Sequence, residues 1–470
     1  MHYDILIIGG GSGGYAAAVR AAQLKLSVAI IEKESMGGAC LNWGCIPTKT
    51  LYRNAEFFKL IEHSSRFGVK IKGYEIDVSA IQVRKNEVIE RMHEDIQRML
   101  IKYQIPIYRG MGSFIDDRKV NVTLDDGRSK VVEGDHIIIA TGSTPVVPPL
   151  EGVLLDGVYT SNEMLEFNEI PKELVIVGAG VVGMEFACIF QAFGSKVKVI
   201  STTDRILARI DADVTKELSK EFIKNGGEIY SSVRAQKFTY DEKSKKHVAW
   251  VSDGIEEKEI SGDVVLLAIG RKPFTSGLGL ENAGVESDRG AVLVDEHMKT
   301  SVDHIYAIGD VNRVNMLAYT AANQGIRVVE QISRNEPNEI GNLFASCIFV
   351  FPELAFVGMT EEECQSNGIE YHASKYYFEA NGKALALDET KGFVKVLSDK
   401  DENIIGVHIL GPHATDLIHE AVLAMQHKMK VDDIINTIHA HPTLSEAFRE
   451  AVLGLKDSPI ISKPVIDKTK

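Results

Sequence analysis

Ile5-Leu6-Ile7-Ile8-Gly9-Gly10-Gly11-Ser12-Gly13-Gly14 carries a strand-length apolar run straight into a glycine cluster, and the alanine-rich Tyr15 to Leu24 that follows reads as a helix. The arrangement returns at Val175-Ile176-Val177, continues through Gly178-Ala179-Gly180-Val181-Val182-Gly183 and ends in a second helical stretch, Met184 to Phe193. A lone GxGxxG match is weak evidence in a chain with 40 glycines, but two matches, each between a strand and a helix, are specific. The first glycine permits a tight turn and the second lets the backbone approach a pyrophosphate. The third lets helix and strand pack closely, with the helix N-terminus facing the anion. Two α/β units that each bind one dinucleotide are therefore predicted.

An acidic residue about 20 positions further on usually accepts the ribose hydroxyls. Glu32 closes the strand Val28 to Ile31 in the first unit, whereas Ser201 stands in the equivalent place after Val197 to Ile200 in the second. Ser201 lacks the carboxylate that favours NAD, and basic Lys198, Arg205 and Arg209 lie close by in sequence. NAD is expected, with NADP left open.

Between the two copies, Ser79 to Lys102 has helical periodicity, and Tyr108 to Val132 reads as short strands with a turn at Asp125-Asp126-Gly127. Ile137-Ile138-Ile139-Ala140-Thr141-Gly142 ends a strand, and Pro145, Pro148 and Pro149 mark a hinge. Leu266 to Gly270 is a matching strand end, and Ile305 to Ile308 runs into Gly309-Asp310. After Pro337 the pattern changes to strands (Tyr371 to Phe378, Gly392 to Leu397, Ile404 to Ile409) and a helix (Asp416 to His427). The predicted fold is α/β: two Rossmann-like dinucleotide-binding domains plus a C-terminal α+β interface domain. The expected boundaries are 1–147 for the first unit, 148–271 for the second, 272–338 for a segment returning to the first, and 339–470 for the interface domain.

The 470 residues suffice for two to four domains. Lys and Arg (52) against Asp and Glu (66) leave a net charge of −14, which argues against nucleic acid or an anionic membrane as the main partner. Apolar runs such as Ile5 to Ile8 and Val264 to Ile269 fall far short of the roughly 18 to 20 residues that span a bilayer. The N-terminus enters the fold without a signal-peptide pattern, and five cysteines do not make a secreted disulfide scaffold. A reducing, cytoplasmic setting is expected, in which a disulfide is more often catalytic than structural.

Cys40-Leu41-Asn42-Trp43-Gly44-Cys45 follows the first ribose position. Its spacing also suits a zinc half-site or two unlinked buried thiols, although Cys188, Cys347 and Cys364 are isolated and supply no second pair. Pro47 favours the first position of a helix through Thr48 to Leu60, which puts Cys45 at a positive helix end that stabilises a thiolate. An exchange-active disulfide requires such a site.

The segment CLNWGCIPTK (Cys40 to Lys49), both GxGxxG units, IATGS (Ile139 to Ser143), YAIGDV (Tyr306 to Val311) and HAHPTLSEA (His439 to Ala447) together resemble the flavoprotein pyridine nucleotide-disulfide oxidoreductases. The likeness is strongest to dihydrolipoyl dehydrogenases and covers essentially the whole chain. It implies FAD held by Gly9, Gly11, Gly14, Glu32, Lys49, Gly112, Thr141, Gly142, Ser143 and Asp310, with the coenzyme on Gly178, Gly180, Gly183 and Gly270. Lys49 would pair with Glu185 near the flavin. Met316-Leu317-Ala318-Tyr319 is a further expected cofactor stretch, departing from the family in Tyr319 for the usual His, and Gln324 stands where an acid is common.

The resemblance further implies that Cys40 meets the dithiol substrate, that Cys45 is the thiolate next to the flavin, and that His441, oriented by Glu446, is the acid/base. Glu446 three residues after Thr443 also reads as a capping box for a helix starting near Leu444. In the family that histidine reaches the other subunit's disulfide, so a homodimer is implied. The implied activity is FAD-dependent oxidation of protein-bound dihydrolipoamide by NAD+, with a lipoyl-bearing protein or 2-oxo acid dehydrogenase-type complex as partner. No metal is expected. An NAD(P)H-dependent reductase of another disulfide such as glutathione disulfide, or a flavoprotein scaffold of a multienzyme complex, is the alternative.

Overall fold

The computed structural model describes residues 1–336, 341, 343–456 and 460. The junction expected at 338/339 lies outside the described residues. The chain forms two compact units, Met1–Pro148 with Tyr159–Glu169 and Ile269–Gly341, and Pro149–Val158 with Ile170–Ala268 and Asn342–Lys470.

In chain order the first unit begins with β1 (His2–Ile8), α1 (Ser12–Gln23), β2 (Val28–Glu32), α2 (Gly38–Trp43) and α3 (Cys45–Glu62). It continues with α4 (Val78–Lys102), β3 (Ile107–Phe114), β4 (Lys119–Leu124) and β5 (Ser129–Ile139). β3, β2, β1, β5 and the strand Ile305–Ala307 lie side by side and parallel. β3 and β5 run on beyond this sheet, and their outer halves pair antiparallel with β4. The apolar run of β1 is uniformly hydrophobic because both of its faces are covered. Ile5 and Ile7 pack with Ala17, Ala18, Ala21, Val328 and Val329 of the helices, whereas Leu6 and Ile8 pack with Val120, Val122 and Val132 of the meander. The alanines of α1 allow a close approach by the helix Ala318–Arg334, where a Cβ on Gly325 would come within 2.6 Å of the Gly13 carbonyl oxygen.

The second unit has a parallel sheet in the order Glu228–Tyr230, Lys196–Ile200, Glu173–Val177, Val264–Leu267. A three-stranded antiparallel sheet (Arg234–Asp241, Lys246–Ser252, Glu257–Gly262) follows the coenzyme motif and was not anticipated; its charged residues obscure the alternation. The C-terminal part is a five-stranded antiparallel sheet packed against the helices Ala414–Gln426 and Glu446–Leu453. Lys395 of that sheet is 1% exposed and bonds to both oxygens of Asp211 at 2.9 and 2.8 Å, to Asp213 at 2.7 Å and to Glu361 at 2.5 Å. Asp211 precedes the helix Ala212–Lys224, so this cluster fixes coenzyme-sheet connections to the C-terminal sheet inside one unit. The α/β class with an α+β C-terminal part agrees with the prediction, and no helix is long and apolar enough to cross a membrane among the described residues.

Candidate active site

Because the strands of the first unit are parallel, their carboxyl ends gather on one edge. Ile8 leads there to Gly9, Ile31 to Glu32, Ile139 to Thr141 and Ala307 to Gly309-Asp310. Gly9 has φ +109°, and a Cβ on Gly14 would lie 1.9 Å from the Gly9 carbonyl oxygen, so the turn admits only glycine at both positions. Glu32 is buried at the strand end, with Oε2 accepting from the Gly10 N–H at 2.6 Å and Oε1 from the Glu34 N–H at 2.7 Å. Ser143 donates to Asp310 at 2.5 Å, and Thr141 donates to the Phe274 carbonyl at 2.6 Å. Gly112 lies in β3, where a Cβ would approach Ile31 and Ile8 at 3.3 Å.

The two cysteines sit on the same unit, Cys40 in α2 and Cys45 as the first residue of α3. Helix α3 therefore starts two residues before Pro47, which occupies the third helical position rather than the expected first. No side chain caps α3, leaving its N–H groups to favour negative charge at Cys45. The Cys40 thiol is hydrogen-bonded to Cys45; that bond, burial and the charge on Cys45 push the Cys40 thiol far up, while Lys49 and Ser12 act in the opposite sense. Cys40 is thus held as a thiol beside Cys45. Arg271, which no sequence spacing marks, donates from Nε to Ser143 Oγ and from an Nη to the Ser143 carbonyl, both at 2.8 Å. Burial lowers its pKa, opposed by the charges of Asp310 and Cys45, so this guanidinium is the missed cation of the site.

The pyridine nucleotide-disulphide oxidoreductase family matches residues 3–325, and the dimerisation domain of the same oxidoreductases matches residues 344–452. This chain belongs to that family. It is 39% identical to the dihydrolipoyl dehydrogenase of Bacillus subtilis (strain 168), covering 96% of this chain and 98% of the relative. Identity to the mitochondrial dihydrolipoyl dehydrogenase of Pisum sativum is 38%, with 97% and 92% covered. Identity to a leghemoglobin reductase of Vigna unguiculata is 37%, with 97% and 88% covered. Among solved structures, the Cu(II) complex of the HOCl-induced flavoprotein disulfide reductase RclA from Escherichia coli aligns with a TM-score of 0.87 at 28% identity, covering 97% of this chain and 100% of that one.

As a pyridine nucleotide-disulphide oxidoreductase close to the dihydrolipoyl dehydrogenases, the protein is a flavoprotein enzyme whose cofactors are FAD and NAD(H). The residues present suit FAD. Helices α1 and Ala318–Arg334 have no side-chain cap at their N-termini, and nothing lies within 4 Å of a Cβ built on Gly142. Asn315 Nδ2 and Thr320 Oγ1, which flank Met316 to Tyr319, are buried without a hydrogen-bond partner among the described residues. Such orphaned groups and free N–H dipoles are what a polar, anionic cofactor satisfies. Gln324, at the position where an acid is common, is buried and accepts the Gly309 N–H at 2.7 Å, keeping an acceptor there without a charge.

In the second unit the helix Val181–Ala192 is likewise uncapped, a Cβ on Gly183 would lie 1.9 Å from the Gly178 carbonyl oxygen, and Gly180 faces open space. Glu185 on that helix accepts the Phe349 N–H at 3.0 Å. Gly270 and Lys49 fall in the first unit. Ser201 is only 2% exposed, and its hydroxyl accepts from the Thr203 N–H and bonds to Thr203 Oγ1 at 2.9 Å, which in turn donates to the Arg205 carbonyl. The hydroxyl is therefore consumed inside its own turn. Lys198 is held by Glu173 and the Ser261 carbonyl, and Arg205 by Glu362 and the carbonyls of Ala208 and Ile210. Of the three basic residues, only Arg209 is exposed.

His441 and Glu446 also lie in the second unit. His441 Nδ1 meets Glu446 Oε1 at 2.9 Å, and Glu446 Oε2 accepts the Thr443 N–H at 2.8 Å. Burial opposes the charge on Glu446, but those two hydrogen bonds outweigh it and lower its pKa. Only half of the expected capping box forms. The Thr443 hydroxyl donates backwards to the Ala440 carbonyl, and the helix begins at Glu446 rather than near Leu444.

Proposed function

We propose that the protein oxidises dihydrolipoamide to lipoamide and reduces NAD+, with the Cys40–Cys45 pair as the exchange site. The hydrogen-bonded Cys40 and Cys45, with Cys45 as the first residue of α3, carry this reading, supported by the relatives named as dihydrolipoyl dehydrogenases. With the pair oxidised, a substrate thiolate attacks Cys40 Sγ and breaks the Cys40–Cys45 bond, and Cys45 departs as a thiolate beside Arg271. The second substrate thiol then attacks the substrate sulfur of the mixed disulfide. This closes the cyclic disulfide and releases Cys40, which is reprotonated to a thiol. His441 Nε2 takes the proton of the first attacking thiol, gives it to Cys40 as Cys40 leaves, and takes the proton of the second thiol and releases it to solvent, while Glu446 holds Nδ1. FAD, bound at the strand ends, supplies the two-electron relay to NAD+.

The catalytic roles of Cys40, Cys45, His441 and Glu446, and the cofactor contacts of the glycines, Glu32, Lys49, Ser143, Glu185, Ser201 and Asp310, belong to this proposal, as does the division at 147, 271 and 338. So does a homodimer in which His441 serves the partner subunit's disulfide, with a lipoyl-bearing protein of a 2-oxo acid dehydrogenase-type complex as the docking partner and a cytoplasmic setting. A glutathione-type reductase using NADPH draws support only from the missing carboxylate at Ser201, and the occupied Lys198 and Arg205 weaken it. The test is turnover of dihydrolipoamide, lipoamide and glutathione disulfide with each of NAD(H) and NADP(H). A preference for glutathione disulfide with NADPH would overturn the reading.

A further inference from the structure

A second histidine–glutamate pair stands two residues before His441. The side chain of His439 is 6% exposed, against 68% for His441. His439 Nδ1 lies 3.0 Å from the Thr437 carbonyl oxygen and Nε2 lies 2.8 Å from Glu420 Oε1. A carbonyl oxygen only accepts, so Nδ1 carries a hydrogen, and Nε2 is committed to the Glu420 carboxyl group, so both ring nitrogens of His439 have partners. His441 is the opposite case, with Nδ1 on Glu446 and no partner for Nε2 among the described residues. Two histidines one residue apart thus differ in their contacts, His439 committed at both nitrogens and His441 open at Nε2 among the described residues.

We propose that His439, clamped by Glu420, is a positioning residue for the His441 acid/base: it pins the turn 437–441 to the helix Ala414–Gln426 so that His441 keeps Nδ1 on Glu446 and presents Nε2. The far side of the turn is fixed separately, by Thr443 Oγ1 on the Ala440 carbonyl at 2.8 Å and Asn381 on the Thr443 carbonyl at 3.0 Å. On the near side, His439 makes the corresponding link to a neighbouring element. Among the described residues, the elements beside this turn bring these charged groups. Glu420 comes from the helix Ala414–Gln426. Asp433 comes from Val431–Ile435, its carboxylate engaged by the Lys430 N–H. Glu446 and Arg449 come from Glu446–Leu453, Arg449 being directed to the Ile435 carbonyl and Glu450. Removing the His439 ring takes away the partner of Glu420 and leaves an acidic side chain at the turn, whose negative field would favour protonated His441.

This proposal rests on the assignment of His441 as the acid/base. The test is the pH profile of dihydrolipoamide oxidation by holoenzyme carrying His439→Ala, Glu420→Gln or His439→Ala with Glu420→Ala, alongside FAD content and melting temperature. His439→Ala is expected to lower kcat about tenfold, with KM changed less than about twofold, and to move the acid limb of kcat to higher pH. Glu420→Gln is expected not to raise that limb, and the double variant is expected to return it towards wild type, a non-additive outcome. A wild-type kcat and acid limb in His439→Ala would overturn the proposal, as would a rate loss that tracks FAD loss with the limb unmoved. If His439→Ala does not fold, His439→Gln, which keeps one donor, replaces it with the same expected direction. If the wild type does not oxidise dihydrolipoamide, the reading of function falls, and the same variants are compared on glutathione disulfide, where the same limb shift decides the role of His439.

Discussion

A methyl group at Gly14 or Gly183 would meet a carbonyl oxygen at 1.9 Å, the same clash with the first glycine of its own turn in both units. Each turn must open to accept it, so Gly14→Ala is expected to yield protein without FAD. Gly183→Ala is expected to keep FAD and lose at least about tenfold in kcat/KM for NAD+, read by flavin absorbance and steady-state rates. The glycines, Glu32 and the cysteine pair were legible because their chemistry is fixed by spacing along one strand–turn–helix segment. Arg271, Asn315 and Thr320 were not: Arg271 matters through Ser143, remote in sequence, and the unpaired polar atoms of Asn315 and Thr320 are marked only by burial, which no local pattern encodes. Ser201 was legible as a missing acid, but only the folded turn shows that its hydroxyl is already used by Thr203.

Among the elements, the strand Glu173–Val177 begins with a carboxylate held by Lys198 and Lys246, each at 2.7 Å. The hydrogen bonds from Lys198 and then Lys246 lower the Glu173 pKa to about 2 from its ordinary 4.5. A folded-state pKa below the unfolded value gives stability that is present above the unfolded pKa and lost as pH falls through the folded one. Denaturation midpoints are therefore expected to fall between about pH 4.5 and 2, and Glu173→Gln is expected to flatten that part of the curve. Lys395→Met would leave Asp211, which is 0% exposed, without its cation, and should cost roughly 3–5 kcal/mol in a chemical denaturation series. The strands and long helices were readable from periodicity, and their ends shifted where capping competed. The Thr443 hydroxyl points back to the Ala440 carbonyl, to which it donates, and the helix begins at Glu446 with Ser445 at its N-cap rather than at Leu444. The sheet spanning Arg234–Gly262 escaped because one of its faces is charged and solvated, which dilutes the alternation that marks a strand.

At the scale of the molecule, the thiol pair belongs to one compact unit and the His441–Glu446 pair to the other, and the C-terminal region matches a dimerisation domain. If each active site takes cysteines from one chain and His441 from its partner, two inactive variants must complement. Mixing Cys45→Ser with His441→Gln chains after reversible dissociation places one intact site in each heterodimer. A random mixture, half heterodimer, should recover about a quarter of wild-type turnover. No recovery in verified heterodimers would place both halves of the site in one chain. Repetition of the glycine motif made the two-dinucleotide plan readable, because each unit announces itself locally. The pairing of distant halves was supplied only by family resemblance, since no single-chain pattern encodes which surface meets a second copy.

The most direct test of the central claim is the initial rate of NAD+ reduction by dihydrolipoamide, measured for the wild type and for Cys45→Ser at equal FAD content. The account predicts turnover with NAD+ at least about tenfold above that with NADP+, and its loss in Cys45→Ser by about a thousandfold or more. Unchanged turnover in Cys45→Ser, or wild-type protein that reduces glutathione disulfide with NADPH while leaving dihydrolipoamide untouched, would contradict it.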